Sequence, residues 1–331
     1  MASSPPSSPS SSFGALPVDE GLITDARKDI LASWYLGVSK VLDEAVWREV
    51  RPGEKKLFTP ESVEAADKEA ERVALIESSQ SRRDLGKHPA SQPKINEGLL
   101  VPVYLTFVAK ISADDFWLMP DANWRATNTV VTQFSKVKLN CKLVRPPAVQ
   151  ALSSFANDWV DVWYNLQKFT AMAAADQPPH ARKTVLSDVP EDSIKLRHCL
   201  FEELEREATA EELTALENWP VKSNSEATAA LKEMKNNNKF RVVPIPVYDK
   251  PGGKRIPPSR YVSDLKGAVV EVNMVLTYWD IPPSKRKPRR IQAFTADIHR
   301  MAVLVPPPKR PNKRIISEVD PGSPKKPRRA H

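Results

Sequence analysis

Three stretches of this chain alternate apolar and polar residues one by one, and a segment with that period can bury one face only as a β-strand. Val130–Val144 places Val137, Leu139, Cys141 and Leu143 on one side and Lys136, Lys138, Asn140 and Lys142 on the other. This predicts a half-buried strand with a basic outer face. Gly267–Trp279 places Val270, Val272, Met274, Leu276 and Tyr278 opposite Glu271, Asn273 and Thr277. In Arg290–Val305, Phe294, Ala296 and Ile298 share one parity, whereas Met301, Val303 and Val305 share the other. A β-bulge near His299-Arg300 would bring both sets inward. Leu99–Ile111 and Phe240–Tyr248 are further β-rich runs, and Asp249–Lys254 reads as a turn.

Between these runs the apolar spacing becomes helical. Leu22–Val50 repeats Ile23, Ile30, Leu31, Trp34, Tyr35, Val38, Val41, Leu42, Val46 and Trp47 at that period, and Arg51-Pro52-Gly53 ends it. Thr59-Pro60 opens a charged helix to about Ser78. Val149–Met172 carries Leu152, Phe155, Trp159, Val162, Trp163, Leu166 and Phe169 on a wide apolar face. An acidic helix is expected over Ser193–Asn218, broken near Ala208-Thr209, and a shorter one over Glu226–Lys235. The expected class is therefore α+β, a mixed or antiparallel sheet packed with amphipathic helices. The expected organisation is a disordered Ser/Pro tail (1–20), a helical region and linker (21–97), a core (98–305) and a disordered basic tail (306–331).

Charge is distributed unevenly. Residues 239–331 carry 21 basic and seven acidic side chains, while the preceding 238 carry 28 basic and 34 acidic. That asymmetry implies an acidic partner for the C-terminal part, with DNA or RNA foremost, or else a tail that serves nuclear import alone. Lys285-Arg286-Lys287-Pro288-Arg289-Arg290 falls between the last two alternating strands. If those strands pair, Lys285, Arg286, Lys287, Arg289 and Arg290 sit at a hairpin tip able to follow a phosphate backbone. Tyr278, Trp279 and Phe294 lie near its base, as stacking partners or as core. In the tail, Lys309-Arg310 and Lys313-Arg314 precede Lys325-Lys326-Pro327-Arg328-Arg329, and Ile315–Pro324 gives a ten-residue spacer. The pattern resembles a bipartite nuclear-import signal, which offers extended basic side chains to acidic grooves of an import receptor. Ser323-Pro324-Lys325-Lys326 is similar to the minor-groove elements of histone-type tails, and phosphorylation of Ser323 would add about −1.5 to −2 charges beside the cluster.

The stretch VVPIPVYDKPGGKRIPPSRYVSDLKGAVVEVNMVLTYWDI, followed by FTADIHRMAVLVPP, resembles uncharacterised nuclear proteins of mushroom-forming fungi. More distantly it is similar to five-stranded OB-type single-strand-binding proteins, in which a Tyr-Asp-x-x-Gly turn leads into a glycine-initiated strand such as Gly267-Ala268-Val269. The resemblance spans about 65 residues of 331 and transfers no site residue. The strand order read here is two strands, three helices, then three strands, where OB-type proteins have three strands, a helix and two strands.

Motifs for nucleophile elbows, dinucleotide or phosphate loops and zinc proteases are absent. The histidines His88, His180, His198, His299 and His331 are scattered, and Cys141 and Cys199 are expected to be reduced thiols. Asp114, Asp115 and Asp121 read as a solvated acidic loop more readily than as metal ligands, and Glu202, Glu203, Glu205 and Glu207 as a solvated helical face. No apolar run reaches the ~20 residues of a membrane span, and the N-terminal residues do not read as a secretory signal. The expectation is a non-enzymatic nuclear protein, without metal or cofactor, that contacts nucleic acid mainly through phosphates. The alternative is a protein–protein adaptor using the amphipathic helices around Trp34 and Trp159. Residues 306–331 fused to a fluorescent cargo should drive it into nuclei, and a cargo that stays cytoplasmic contradicts the import reading.

Overall fold

The computed structural model of the chain describes residues 18–81, 97–174, 182–187, 192–221, 224–284 and 288–308. In chain order the helices are α1 (Glu20–Leu31), α2 (Pro60–Ser81), α3 (Ser153–Ala173), α4 (Ala210–Glu217), α5 (Ser225–Asn237) and α6 (Tyr261–Leu265). The strands before α4 are β1 (Trp34–Tyr35), β2 (Val46–Arg51), β3 (Glu54–Phe58), β4 (Leu105–Trp117), β5 (Lys138–Val144), β6 (Arg182–Lys183), β7 (Leu186–Ser187), β8 (Ser193–Cys199) and β9 (Phe201–Glu203). After α5 come β10 (Phe240–Val242), β11 (Val247–Tyr248), β12 (Val269–Ile281) and β13 (Ile291–Val305).

Five strands pair in a ring. β4 pairs antiparallel with β5, β5 with β8, β12 with β13 and β12 with β4, while β8 and β13 meet in parallel at Arg197 and Asp297. In chain order this is three ring strands, a helical segment and two ring strands, with α3 inserted between the second and the third. The ring's interior follows from parity. Leu105, Phe107, Ala109 and Ile111 of β4 share the inner face with Leu139, Cys141 and Leu143 of β5, and with Ile194 and Leu196 of β8. Val270, Val272, Met274 and Leu276 of β12 and Ala296, Ile298 and Met301 of β13 complete it, and all are buried. At roughly 1.5–3 kcal/mol for each large apolar side chain removed from water, a one-residue slip of any strand would forfeit several of these together, which fixes the register.

The bulge expected near His299-Arg300 is present. Asn273 lies opposite Arg300 and Met274 opposite Ile298, so His299 is the extra residue. It allows Ile298 and Met301, of opposite parity, to face the same core.

The outer elements secure the ring. On α3, Trp159 sits with its ring centroid 6.3 Å from that of Phe107. The same helix receives Arg27 and the Tyr35 hydroxyl on Asp158, at 3.0 and 2.7 Å, and its Asn165 Nδ2 donates to Leu36 O at 2.8 Å. β3 pairs with β12 beyond the end of the β4 contact, and β2 follows β3. Tyr278, Phe294 and Trp47 cluster there, and the Trp47 indole donates to Phe169 O at 3.0 Å.

Several sequence expectations change. The helix over 22–50 ends at Leu31, and Val46–Arg51 pairs with Glu54–Phe58 as a hairpin. Gly53, at φ 78°, takes the turn between the two strands, a backbone conformation that continuous helix does not allow. Ser193–Asn218 is not one helix: Ser193–Cys199 is a ring strand, Phe201–Glu203 pairs with β10, and only Ala210–Glu217 is helical. The anticipated break at Thr209 is the capping box that starts α4, with Thr209 and Glu212 exchanging side-chain–backbone bonds. The strand expected over 99–111 runs from Leu105 to Trp117, and that over 130–144 begins at Lys138 after a 3-10 turn at Phe134–Lys136. Pro244 and Pro246 lack the N–H a central strand needs, so 240–248 divides into β10, on β9, and β11, on β13. The tails expected over 1–20 and 306–331 lie outside the described residues, apart from 18–20 and 306–308.

Gly53→Ala should destabilise the protein. Its Cβ would meet Asp280 O at 2.5 Å from a positive-φ backbone, where Asp280 N donates to Gly53 O at 2.7 Å. A loss of about 1–3 kcal/mol in chemical denaturation is expected.

Candidate nucleic-acid interface

The outer face of the ring is set by the same parity that fills its interior. On β5 it carries Lys138, Asn140 and Lys142, and on β8 Lys195, Arg197 and Cys199. Their register is Lys138 opposite Cys199, Asn140 opposite Arg197, and Lys142 opposite Lys195. Directly opposed residues of an antiparallel pair hold their Cβ atoms about 4.5–5.5 Å apart, and like charges there repel. Lys138, Lys142 and Lys195 have no ion pair among the described residues, so the Lys142–Lys195 repulsion is not offset locally.

A transverse row crosses the ring at its centre. Trp117 of β4 lies opposite Asn140, Asn140 opposite Arg197, Arg197 opposite Asp297, and Asp297 opposite Val275. Trp117 is 37% exposed, and its indole donates to Asp115 Oδ1 at 2.6 Å, which fixes the ring on the face. Arg197 binds Asp297 through both nitrogens, Nε to Oδ1 at 2.7 Å and Nη2 to Oδ2 at 3.0 Å. Because β8 and β13 are parallel, Lys142 and Lys195 lie from this row toward the start of β13, the end that follows the basic run in sequence.

Of that run, Lys285, Arg286 and Lys287 lie outside the described residues. The flanking strands do pair, up to Ile281 opposite Ile291, so the run occupies the connection of a long hairpin. Arg289 is exposed. Arg290 instead spans the hairpin to both carboxylate oxygens of Asp280, Nε to Oδ1 at 2.6 Å, and holds that carboxyl below its usual range. It therefore braces the base of the connection. Of the aromatics near the base, Tyr278 and Phe294 are core, with ring centroids 5.2 Å apart, and the half-buried Trp279 donates to Thr295 Oγ1 at 3.1 Å.

Other arginines of the basic C-terminal part are also engaged. Arg241 binds Glu202 at 2.6 Å, Arg260 binds Asp264 at 2.6 Å, Arg255 donates to Ile245 O and Pro244 O, and Arg300 lies over the Tyr248 ring at 5.2 Å. Glu203 pairs with Lys136 at 3.2 Å, so the acidic residues read as a helical face are partly spent on strand-end ion pairs. The import residues Lys309, Arg310, Lys313, Arg314, Lys325, Lys326, Arg328 and Arg329, and Ser323, lie outside the described residues.

The expected adaptor groove does not form as read. Trp34 belongs to β1 and Trp159 is buried against the ring. Asp115 serves Trp117, and Asp121 accepts from Asn224 Nδ2 at 3.1 Å and Asn123 N at 3.0 Å. Among the described residues no group of three or more His, Cys, Asp or Glu is placed to hold a metal ion, and no helix is long and apolar enough to cross a membrane.

Sequence reasoning found the basic side of β5 but missed Lys195, Arg197 and Trp117. The first two fall within the expected acidic helix Ser193–Asn218, and Trp117 lies beyond the expected end of the Leu99–Ile111 run. The available signal was the alternation of Ile194, Leu196 and His198 with Lys195, Arg197 and Cys199. The two thiols should behave oppositely. Cys141 lies inside the ring, where burial pushes its thiol up to about 12, whereas Cys199 is exposed on the basic face. A colorimetric thiol reagent at neutral pH should titrate one cysteine in the native protein and both in denaturant.

No protein-family model matches the chain, and no curated protein matches it. Among solved structures it matches gp2.5, a single-stranded DNA-binding protein encoded by bacteriophage T7, with a TM-score of 0.30 and 9% identity, over 61% of this chain and 92% of that one. A likeness of that size identifies neither a shared fold nor a shared activity.

Proposed function

We propose that this chain is a non-enzymatic nuclear protein that binds nucleic acid, mainly through phosphates, on the outer face of β5 and β8 and on the connection between β12 and β13. The observation that carries the reading is the opposed pair Lys142 and Lys195, beside Lys138 and Arg197 and one row from exposed Trp117. Such a face costs folding energy without a polyanion and gains from one. The exposed indole adds a surface on which an unstacked base can lie.

Ring topology supports the same reading by analogy. Three strands, helices and two strands, closed between the first and fourth and between the third and fifth, match the OB-type barrel. That fold binds oligonucleotides on its second and third strands and on the loops joining strands one to two and four to five. Here those strands are β5 and β8, and the four-to-five loop holds Lys285, Arg286, Lys287 and Arg289. Import by the paired basic clusters of the tail would bring the protein to its nuclear partner. An adaptor role is the second reading, favoured by Val160, Tyr164 and Met172, which α3 exposes on its outer side.

Replacing Lys138, Lys142 and Lys195 together by alanine in the full chain should leave the thermal unfolding temperature unchanged or raised. In a filter-binding titration it should reduce the dependence of log K on log salt by about 2, at roughly 0.7–0.9 per phosphate contact. A wild-type slope near zero would remove nucleic acid from contention.

A further inference from the structure

Besides Asp115, which holds the Trp117 indole, the proposed face carries a second carboxylate, seated on one of its own cations. Asp297 lies on the transverse row, directly opposite Arg197, and takes two parallel hydrogen bonds from the guanidinium, from Nε at 2.7 Å and Nη2 at 3.0 Å. Two parallel N–H groups meeting two oxygens is also how arginine holds a phosphate. The pair is partly solvated, with the side chains 23% and 33% exposed, and such pairs are easily given up to a competitor. Around it the face is cationic, with Lys142 and Lys195 in the adjacent row on one side and Lys138, opposite Cys199, in the adjacent row on the other. Asp297 is held in place by Thr295 Oγ1, which donates to Oδ2 at 3.4 Å and itself accepts from the Trp279 indole at 3.1 Å. These contacts aim the carboxylate at Arg197.

We infer that Asp297 is a built-in phosphate mimic, occupying on Arg197 the seat that a backbone phosphate of bound nucleic acid takes over. The inference rests on the nucleic-acid reading above and specifies how that site selects its ligand. A single small anion arriving at Arg197 must evict a tethered carboxylate and brings nothing else to the face. A polyanion pays the same eviction once while its other phosphates engage Lys138, Lys142 and Lys195. Asp297 thus lowers affinity by the same factor for every anion that takes the Arg197 seat, a cost that consumes most of the binding free energy of a short ligand and little of a long one's, and so sets a minimum length of strand that the face retains.

The test is a set of four full-length proteins: wild type, Asp297→Asn, Arg197→Gln and the double variant. Binding of fluorescein-labelled oligothymidylate is read by anisotropy across a salt series, with thermal unfolding as the control for fold. Asn keeps the shape of the side chain and its bond to Thr295 while removing the charge. We expect D297N to bind about five- to tenfold tighter at ~0.1 M salt, with a salt slope steeper by about 0.7, and the gain to vanish when R197Q is the background. A gain of equal size in both backgrounds would mean simple removal of a negative charge and overturns the mimic. So does a folded D297N that binds no tighter than wild type, since the pair would then only tie β8 to β13. If D297N unfolds early, Asp297→Ser replaces it, under the same criteria. Wild type that binds with a salt slope of several units while D297N gains nothing sinks the mimic alone. Failure of all four proteins to bind sinks the nucleic-acid reading together with it.

Discussion

The ring depends on the long pairing of β12 with β13, thirteen register positions from Val269 opposite Val305 to Ile281 opposite Ile291. Every other ring strand is short, or is paired along only part of its length. β12 must serve β4 with its first half and β3 with its second, so the sheet leaves the ring and continues as an arm. The bulge at His299 reconciles these demands. Without the extra residue, either Phe294, Ala296 and Ile298 or Met301, Val303 and Val305 would turn to solvent. Placing one side chain outside the ladder keeps six apolar side chains buried, which at roughly 1.5–3 kcal/mol for each large one far exceeds the loss of one or two ladder bonds.

The opposite seam is the weak side. β8 and β13 share a single register position, Arg197 with Asp297, against seven between β5 and β8. Where ladder bonds are few, side chains hold the strands together, and a bidentate ion pair lies at that point. β6 and β11 add short parallel pairings to β13 at 292–293 and 301–302, on either side of it. The row at the centre of the proposed nucleic-acid face is therefore also the row where the ring is closed with the least backbone bonding. A ligand that took Arg197 from Asp297, as proposed above, would also loosen the seam.

What was legible in the sequence follows from how strongly each segment constrained its own period. Val270 to Tyr278 alternate with the single exception of Val275, and the parity change within Arg290–Val305 leaves a bulge as the simplest way to bury both halves. Ser193–Cys199 gave a weaker signal, because one of its three inward residues is histidine. His198 is buried with its Nε2 meeting Val243 O at 2.7 Å, a contact from β8 to the segment after β10, 45 residues on. The acidic residues that follow are good helix formers and extended the apparent helix backwards. Likewise, the 22–50 segment has helical spacing through Trp34 and Trp47, but those residues pack on different elements, β4 and Phe169. Local pattern cannot encode which partner a side chain will meet.

The candidate face illustrates the same limit in its chemistry. The basic side of β5 was visible as alternation, yet a row of lysines on one strand is ordinarily a solvated edge. Its meaning changes once β8 is placed beside it, because Lys195 then stands against Lys142, and Arg197 against Asn140 and Trp117. Conversely, among the described arginines of the C-terminal part, Arg241, Arg260, Arg290 and Arg255 are taken up by Glu202, Asp264, Asp280 and backbone carbonyls. Net charge alone does not distinguish these two kinds of basic side chain. Strand register is what separates lysines that repel each other in the open from arginines already neutralised within the fold, and only the former leave electrostatic energy for a ligand to recover.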